Sequence, residues 1–406
     1  MRHFGHVPAA VRAGLFHREP VAFTAEAPAH TLATALGATL YSPATRPRLA
    51  EDIRKQAARG VVSMVLCLED SISDDEVEAG EANLVRQFAE LAASEAGDSR
   101  DSGDSGECGD SGESAGLPLL FVRVREPGQI TDLTDRLGET VRLLSGFVLP
   151  KFTGPRGRPF LDALRAAERT HGHRLFAMPV LESPDLLHRE TRTEILAGIA
   201  ALTAEHRERI LALRLGVTDF CSAYGLRRSP HMTAYDVRIV ADVIGDVVNV
   251  LGRADGTGFT ITGPVWEYFR SGERMFKPQL RRSPFLEGRA EELRTTLIEH
   301  DLDGLLREIE LDRANGLLGK TCIHPSHVAP VHALSVVTHE EFSDAEDILR
   351  PDRDGGGVLR STYTNKMNEV KPHRAWAERT LRRAEVFGVA REDIGFVELL
   401  GAGLAV

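Results

Sequence analysis

Cysteine is scarce: Cys67, Cys108, Cys221 and Cys322 stand alone in 406 residues, with no CxxC spacing among them. That excludes a zinc knuckle and a disulfide framework, and it fits a reducing cytoplasm. Long apolar runs are missing too, since nothing approaches the roughly eighteen residues a membrane span requires. The opening MRHFGHVPAAVRAGLFHREP scatters Arg and His where an export leader would have an apolar block, so no leader is expected. Positive charge is in deficit. With 49 Lys and Arg against 60 Asp and Glu, the net charge of -11 argues against nucleic acid or an anionic membrane as the main partner and favours a small molecule.

What is present is a rhythm. ATLYSP, VVSMVLCLED, LPLLFVRV, SGFVLPKF, RLFAMPVLES, ILALRLGVTDF, GTGFTITGPV and LLGKTCIHP are short apolar runs, and amphipathic stretches separate them. In TAYDVRIVADVIGDVVNVL, Val237, Val240, Ile244, Val247 and Leu251 form one stripe; after LPLLFVRV, Ile130, Leu133, Leu137, Val141 and Leu144 do the same. Eight strand-then-helix units predict an α/β fold, a TIM (β/α)8 barrel, over residues 38–338. Residues 1–37 are expected to be an N-terminal extension, and 339–406 a C-terminal lid or oligomerisation segment. Between Ser94 and Gly116, SEAGDSRDSGDSGECGDSGESAG has no large apolar residue and is expected to be a disordered acidic insertion.

In such a barrel the chemistry sits where the strands end. Arg46 follows the first strand, Glu69 and Asp70 the second, Arg123 and Arg125 the third, Lys151 the fourth, Glu182 the fifth, Asp219 the sixth and His324 the eighth. Glu182 and Asp219 close adjacent strands and should converge, and two hard carboxylates at one rim suit a divalent cation whose shell water or substrate completes. An arginine opposite them is what a keto acid or its enolate needs: the cation polarises the carbonyl while a guanidinium forks onto a carboxylate. Between Trp266 and Pro284 a long loop concentrates Arg270, Arg274, Lys277, Arg281 and Arg282, and Lys277 and Arg281 are candidates for clamping an anion. By contrast Cys67, Cys322 and His324 read as structural.

LYSPATRP, LEDSI, FVRV, VLPKF, PVLES, LGVTDF and GKTCIHPSHV follow one another in the order seen in the HpcH/HpaI aldolase and citrate lyase beta-subunit family, which this chain resembles from about Thr39 to Val337. A narrower similarity is to lyase-like barrels of bacterial tellurite and stress resistance clusters. The resemblance implies Mg²⁺-dependent formation or cleavage of a carbon–carbon bond through a metal-stabilised enolate, with Mn²⁺ as a substitute ion, in a homo-oligomer such as a trimer or hexamer. It also implies that Glu182 and Asp219 are the metal ligands, that Arg123 holds the substrate carboxylate and that Glu69 and Asp70 support the site. In Lys366-Met367-Asn368-Glu369 the resemblance assigns Glu369 to proton transfer in a neighbouring subunit. Arg46 and Lys151 join Arg123 as expected substrate contacts.

Two departures are visible. Thr218 occupies a position that is usually acidic in the family, and the basic loop replaces a short connection, which leaves a CoA thioester substrate open. Two alternatives stand beside the metal enzyme: Schiff-base aldol chemistry at Lys151, and a catalytically silent barrel that binds an anionic metabolite or a partner protein.

Overall fold

The computed structural model describes residues 1–101, 116–269, 302–350 and 356–404. Eight strands form one parallel sheet: β1 (Ala38–Pro43), β2 (Ser63–Cys67), β3 (Leu119–Arg123), β4 (Leu144–Leu149), β5 (Phe176–Leu181), β6 (Leu213–Leu215), β7 (Ile261–Thr262) and β8 (Lys320–Cys322). Neighbours in sequence are neighbours in space, and β8 pairs with β1 through Ala38–Lys320 and Leu40–Cys322. The remaining seam closes where Gly263, just past β7, bridges to Lys320, its N–H donating to the Gly319 carbonyl at 3.0 Å. The fold is a TIM barrel, as the strand rhythm predicts.

Period-two alternation decides which side chains enter the barrel. On β3, Leu119 and Phe121 join the interior cluster while Leu120 and Val122 pack outward under the helices; on β5, Phe176, Met178 and Val180 face in while Ala177 and Leu181 face out. Continuing the two series brings Arg123 and Glu182 to the inner face at the catalytic end. The helical stripes mostly follow expectation, and Val240, Ile244, Val247 and Leu251 are buried. One differs: the helix Pro127–Leu137 stops at Gly138, whose φ of +52° suits glycine, so Val141 lies in a 3-10 turn and Leu144 begins β4.

The helix Val77–Asp101 runs beyond Ser94, where composition put the start of the acidic insertion, because propagation adds one backbone hydrogen bond per residue without needing an apolar face. Residues 102–115 lie outside the described residues.

The other mouth of the barrel is stoppered by both terminal segments. Phe23, Leu32 and Leu36 from the N-terminal stretch and Val386 and Phe387 from the helix Val370–Phe387 pack against Val62, Val65, Leu119 and Phe121. Phe16–Arg18 pairs antiparallel with Val389–Ala390, and His3, whose ring stands 4.2 Å from that of Phe387, bonds the Ala35 carbonyl at 2.9 Å. Burial holds His3 neutral, pushed down to about 3. Within one chain, therefore, the end of the helix Val370–Phe387 is a stopper at the N-terminal mouth. Among the described residues no helix is long and apolar enough to cross a membrane.

Phe387 is fully buried, so Phe387→Ala is expected to cost about 3–5 kcal/mol through the cavity it leaves. Urea unfolding of the two proteins measures it; a loss below about 1 kcal/mol would mean the stopper is not held by this ring.

Candidate active site

At the catalytic end, one nitrogen carries most of the architecture. Arg123 Nη2 lies 2.6 Å from Glu69 Oε2, 3.1 Å from Asp70 Oδ2, and 3.1 and 3.3 Å from the two oxygens of Glu182. Glu69 and Asp70 follow β2, Arg123 ends β3 and Glu182 follows β5, which is why residues more than fifty positions apart meet. An Nη2 group has two protons, too few for three carboxylates. The guanidinium is held charged: burial works against it, but Glu182 and Glu69 more than compensate. Arg123 Nε is buried and has no partner among the described residues.

The loop that presents Glu69 and Asp70 is fastened by Arg125, a residue to which sequence reasoning gave no role. Its Nε donates to the Leu68 carbonyl at 2.7 Å, its Nη2 donates to the carbonyls of Glu69 and Ile72 at 3.2 and 3.1 Å, and Nη1 pairs with Asp74. Lys151 contributes through its backbone first. It adopts φ +49°, unusual for a side chain with a Cβ, and its N–H donates to Glu182 Oε1 at 2.9 Å. Its Nζ stands 3.4 Å from Glu69 Oε1, and the side chain is 41% exposed. Schiff-base chemistry needs a lysine stripped of water and of anionic neighbours, and these surroundings give that alternative no support.

Glu182, 2% exposed, is pushed up to about 7: burial dominates, Arg123 opposes it, and Asp219 and Glu69 add to it. Asp219, in the helix Val217–Ser222, is also raised, by burial and then by Asp70, against the pull of Arg123 and Lys151. Burial raises Glu69 as well; in Asp70 the same tendency is overcome by the hydrogen bond with Glu69 and the charge of Arg123, leaving it below the usual range. Close approach on this side depends on Gly216, where a Cβ would fall 2.3 Å from Glu182 Cβ and 2.5 Å from its Oε2.

These features fit a divalent cation. Four carboxylates face one guanidinium and one half-exposed ammonium, and burial, with the neighbouring acids added to it, holds Glu182 and Asp219 above their ordinary range. Among the described residues no group of three or more His, Cys, Asp or Glu forms a ready-made metal cage. Mg²⁺ asks for less, because it binds through one or two carboxylates and keeps waters or substrate oxygens for the rest.

Other expected residues fall elsewhere. Arg46 is turned away to Asp52 at 2.5 Å, its side chain 53% exposed, and is not brought to the cluster. Glu369 is exposed at the end of the short strand Met367–Glu369, with its N–H bonded to His373 Nδ1 at 3.0 Å. It belongs to the segment that stoppers the opposite mouth. Lys277 and Arg281 lie outside the described residues. His324 accepts from the Ser326 N–H and stacks on Phe269 at 4.7 Å, consistent with a structural histidine. Thr218 donates to Glu267 Oε1 at 2.7 Å, so an acid from the segment after β7 stands beside the threonine.

Over residues 30–389 the sequence matches the model of the family described as C-C bond lyase of the TIM-barrel fold. The chain belongs to that family. Two solved structures share the fold of this C–C bond lyase family member. CitE from Mycobacterium tuberculosis, in complex with magnesium, acetoacetate and coenzyme A, is 19% identical with a TM-score of 0.51, over 87% of this chain and 99% of that one. A citrate lyase from Burkholderia xenovorans LB400 is 15% identical with a TM-score of 0.57, over 90% of this chain and 96% of that one. Comparison with curated proteins gives no match.

A carboxyl group raised in the native state destabilises that state as it ionises. Glu182 costs nothing below the ordinary glutamate range near 4.5, its cost grows as pH rises, and it is complete above about 7. In metal-free protein, Glu182→Gln should therefore match wild type at pH 4.5 and melt higher at pH 8, by up to about 3 kcal/mol of stability. Melts in chelator across that range check the sign; a gap that shrinks with rising pH contradicts it.

Proposed function

We propose that the protein is a Mg²⁺-dependent carbon–carbon bond lyase acting on a small carboxylate-bearing keto acid, hydroxy acid or acyl thioester. The observation that carries this reading is the surplus of carboxylates around Arg123, with Glu182 and Asp219 both raised by burial and then by neighbouring acids. Glu182 and Asp219 would hold the ion. Bound there, it would polarise a substrate carbonyl and favour the enolate left when the bond breaks.

The chain's own groups supply the rest. Arg123, with Nε unpartnered, offers hydrogen bonds to the substrate carboxylate and holds it beside the reacting carbonyl. Asp70 is 58% exposed toward the mouth and lies below its ordinary range, so it stands ionised and ready to take the hydroxyl proton of a hydroxy acid. The carbon–carbon bond then breaks with its electron pair remaining on the carbonyl fragment, and the proton returns to that fragment's carbon. Glu69, pushed in the opposite direction from Asp70, keeps Arg123 in place. Lys151 fixes Glu182 through its N–H. Glu369 has no contact with the Arg123 cluster among the described residues, so a role for it in the reaction requires that a second copy of the chain present it. The acetoacetate and coenzyme A bound by the Mycobacterium tuberculosis protein make keto acids and thioesters the first panel to assay.

Glu182→Gln and Asp219→Asn are each expected to lower Mg²⁺ affinity at least about 10-fold by removing a charged oxygen ligand, with the fold intact by circular dichroism. Calorimetric titration reads this directly, and unchanged affinity in both variants removes the metal assignment. Arg123→Lys should lose most turnover, about 100-fold or more, because an ammonium keeps the charge but not the fork. Steady-state kinetics on the active keto acid decides; near-normal turnover would show that Arg123 does not clamp the carboxylate.

A further inference from the structure

Inside the barrel, below the carboxylate cluster, a second arginine has no acid at all. Arg214 on β6 is 1% exposed. Its Nη2 donates to Thr321 Oγ1 at 2.7 Å, its Nη1 reaches Thr39 Oγ1 at 3.4 Å and Met178 Sδ at 3.7 Å, and its Nε is unpartnered. Hydroxyls and a thioether do not neutralise a cation, and no carboxylate among the described residues lies within ion-pair distance of it. A buried, uncompensated charge costs several kcal/mol, so something else must use its field.

Its nearest aromatic neighbour is Tyr41 on β1, the guanidinium carbon standing 5.4 Å from the ring centroid. Tyr41 packs against the interior cluster yet is only partly buried. Tyr41 pairs in register with Val65, one inward position before Cys67, whose register partner is Arg123, so it lies in the layer directly beneath the carboxylate cluster. Its hydroxyl makes no hydrogen bond to any described residue. Burial pushes the phenol above its ordinary range, while Arg214 and Arg123 pull it back and Cys67 and Glu182 push it further. It is thus a protonated phenol between two cations, its donor without a partner among the described residues, in the layer beneath Arg123 and Glu182.

We propose that Tyr41 is a substrate-contacting residue whose O–H donates to the oxygen that gains charge as the carbon–carbon bond breaks, and that Arg214 is a positioning residue that keeps the phenol polarised. The inference rests on the lyase reading under Proposed function. The proton stays on Tyr41 throughout, and the hydrogen bond shortens as charge collects on its acceptor.

Two probes separate ground state from transition state: pyruvate, a neutral ketone bearing a carboxylate, and oxalate, a planar dianion that imitates the enolate. With saturating Mg²⁺, Tyr41→Phe is expected to lose oxalate affinity about 10- to 100-fold and pyruvate affinity less than about 3-fold. The phenolate absorbance of Tyr41, isolated as wild type minus Tyr41→Phe, should appear at higher pH in Arg214→Met, or in Arg214→Gln if the methionine variant does not fold. Equal losses for the two anions, or an unmoved phenol titration, overturn the inference while leaving the lyase reading intact. Failure of wild type to bind either anion overturns the lyase reading, and the role of Tyr41 with it.

Discussion

Two protons on Arg123 Nη2 serve three carboxylates, and the organisation of the catalytic end follows from that shortage. A guanidinium surrounded by one matched acid would be a closed ion pair, neutral and of little use. Here Glu69, Asp70 and Glu182 compete for it, with Asp219 adding its charge from the next strand end. Burial first, and then that surplus, pushes Glu182 up to about 7 against the pull of Arg123. Removing any one acid would relax the competition and leave a better-satisfied but less responsive site, the usual trade between stability and function.

The two ends of the barrel solve opposite problems. At the catalytic mouth the side chains are charged, held by hydrogen bonds from Arg125 and the Lys151 backbone, and open to ligand. At the other mouth phenylalanines from both terminal segments exclude water, and even the histidine there is held neutral. Between the ends sits Arg214, the one interior position where the apolar pattern of β6 gives way to charge. A further buried network, Lys320 with Glu308 and Asp312 and Arg228 with Glu308, ties the segments after β6 and β7 to β8 from outside the barrel. Its charges are matched, unlike those inside.

Much of this was readable from the chain. Eight apolar runs predict eight strands, because burial on both faces of a parallel sheet leaves a continuous signal, and acids within a few residues of the ends of β2, β5 and β6 mark the catalytic rim by topology alone. What was not readable depends on partners distant in sequence or on conformation. Arg125 was left without a role since its acceptors are backbone carbonyls, which every residue carries. Lys151 drew attention for its amine, whereas its closer contact with Glu182 comes from an N–H presented by a left-handed turn. Arg46 stands at a strand end like the others, but Asp52, six residues on, offers a nearer partner. The terminal stopper was missed because Phe23 and Phe387, more than three hundred residues apart in the chain, carry no periodicity that points to a shared barrel mouth.

That stopper sets an order for biosynthesis. The strands of the barrel are complete once β8 has left the ribosome, yet Phe387 and the strand that fastens Phe16–Arg18 come later in the chain than β8. Until then the mouth is an apolar funnel lined by Val65, Leu119 and Phe121, open to solvent and to other nascent chains. A stretch translated after the strands thus acts as a cork fitted once the bottle is blown, and a barrel still waiting for it would be one a chaperone has reason to retain.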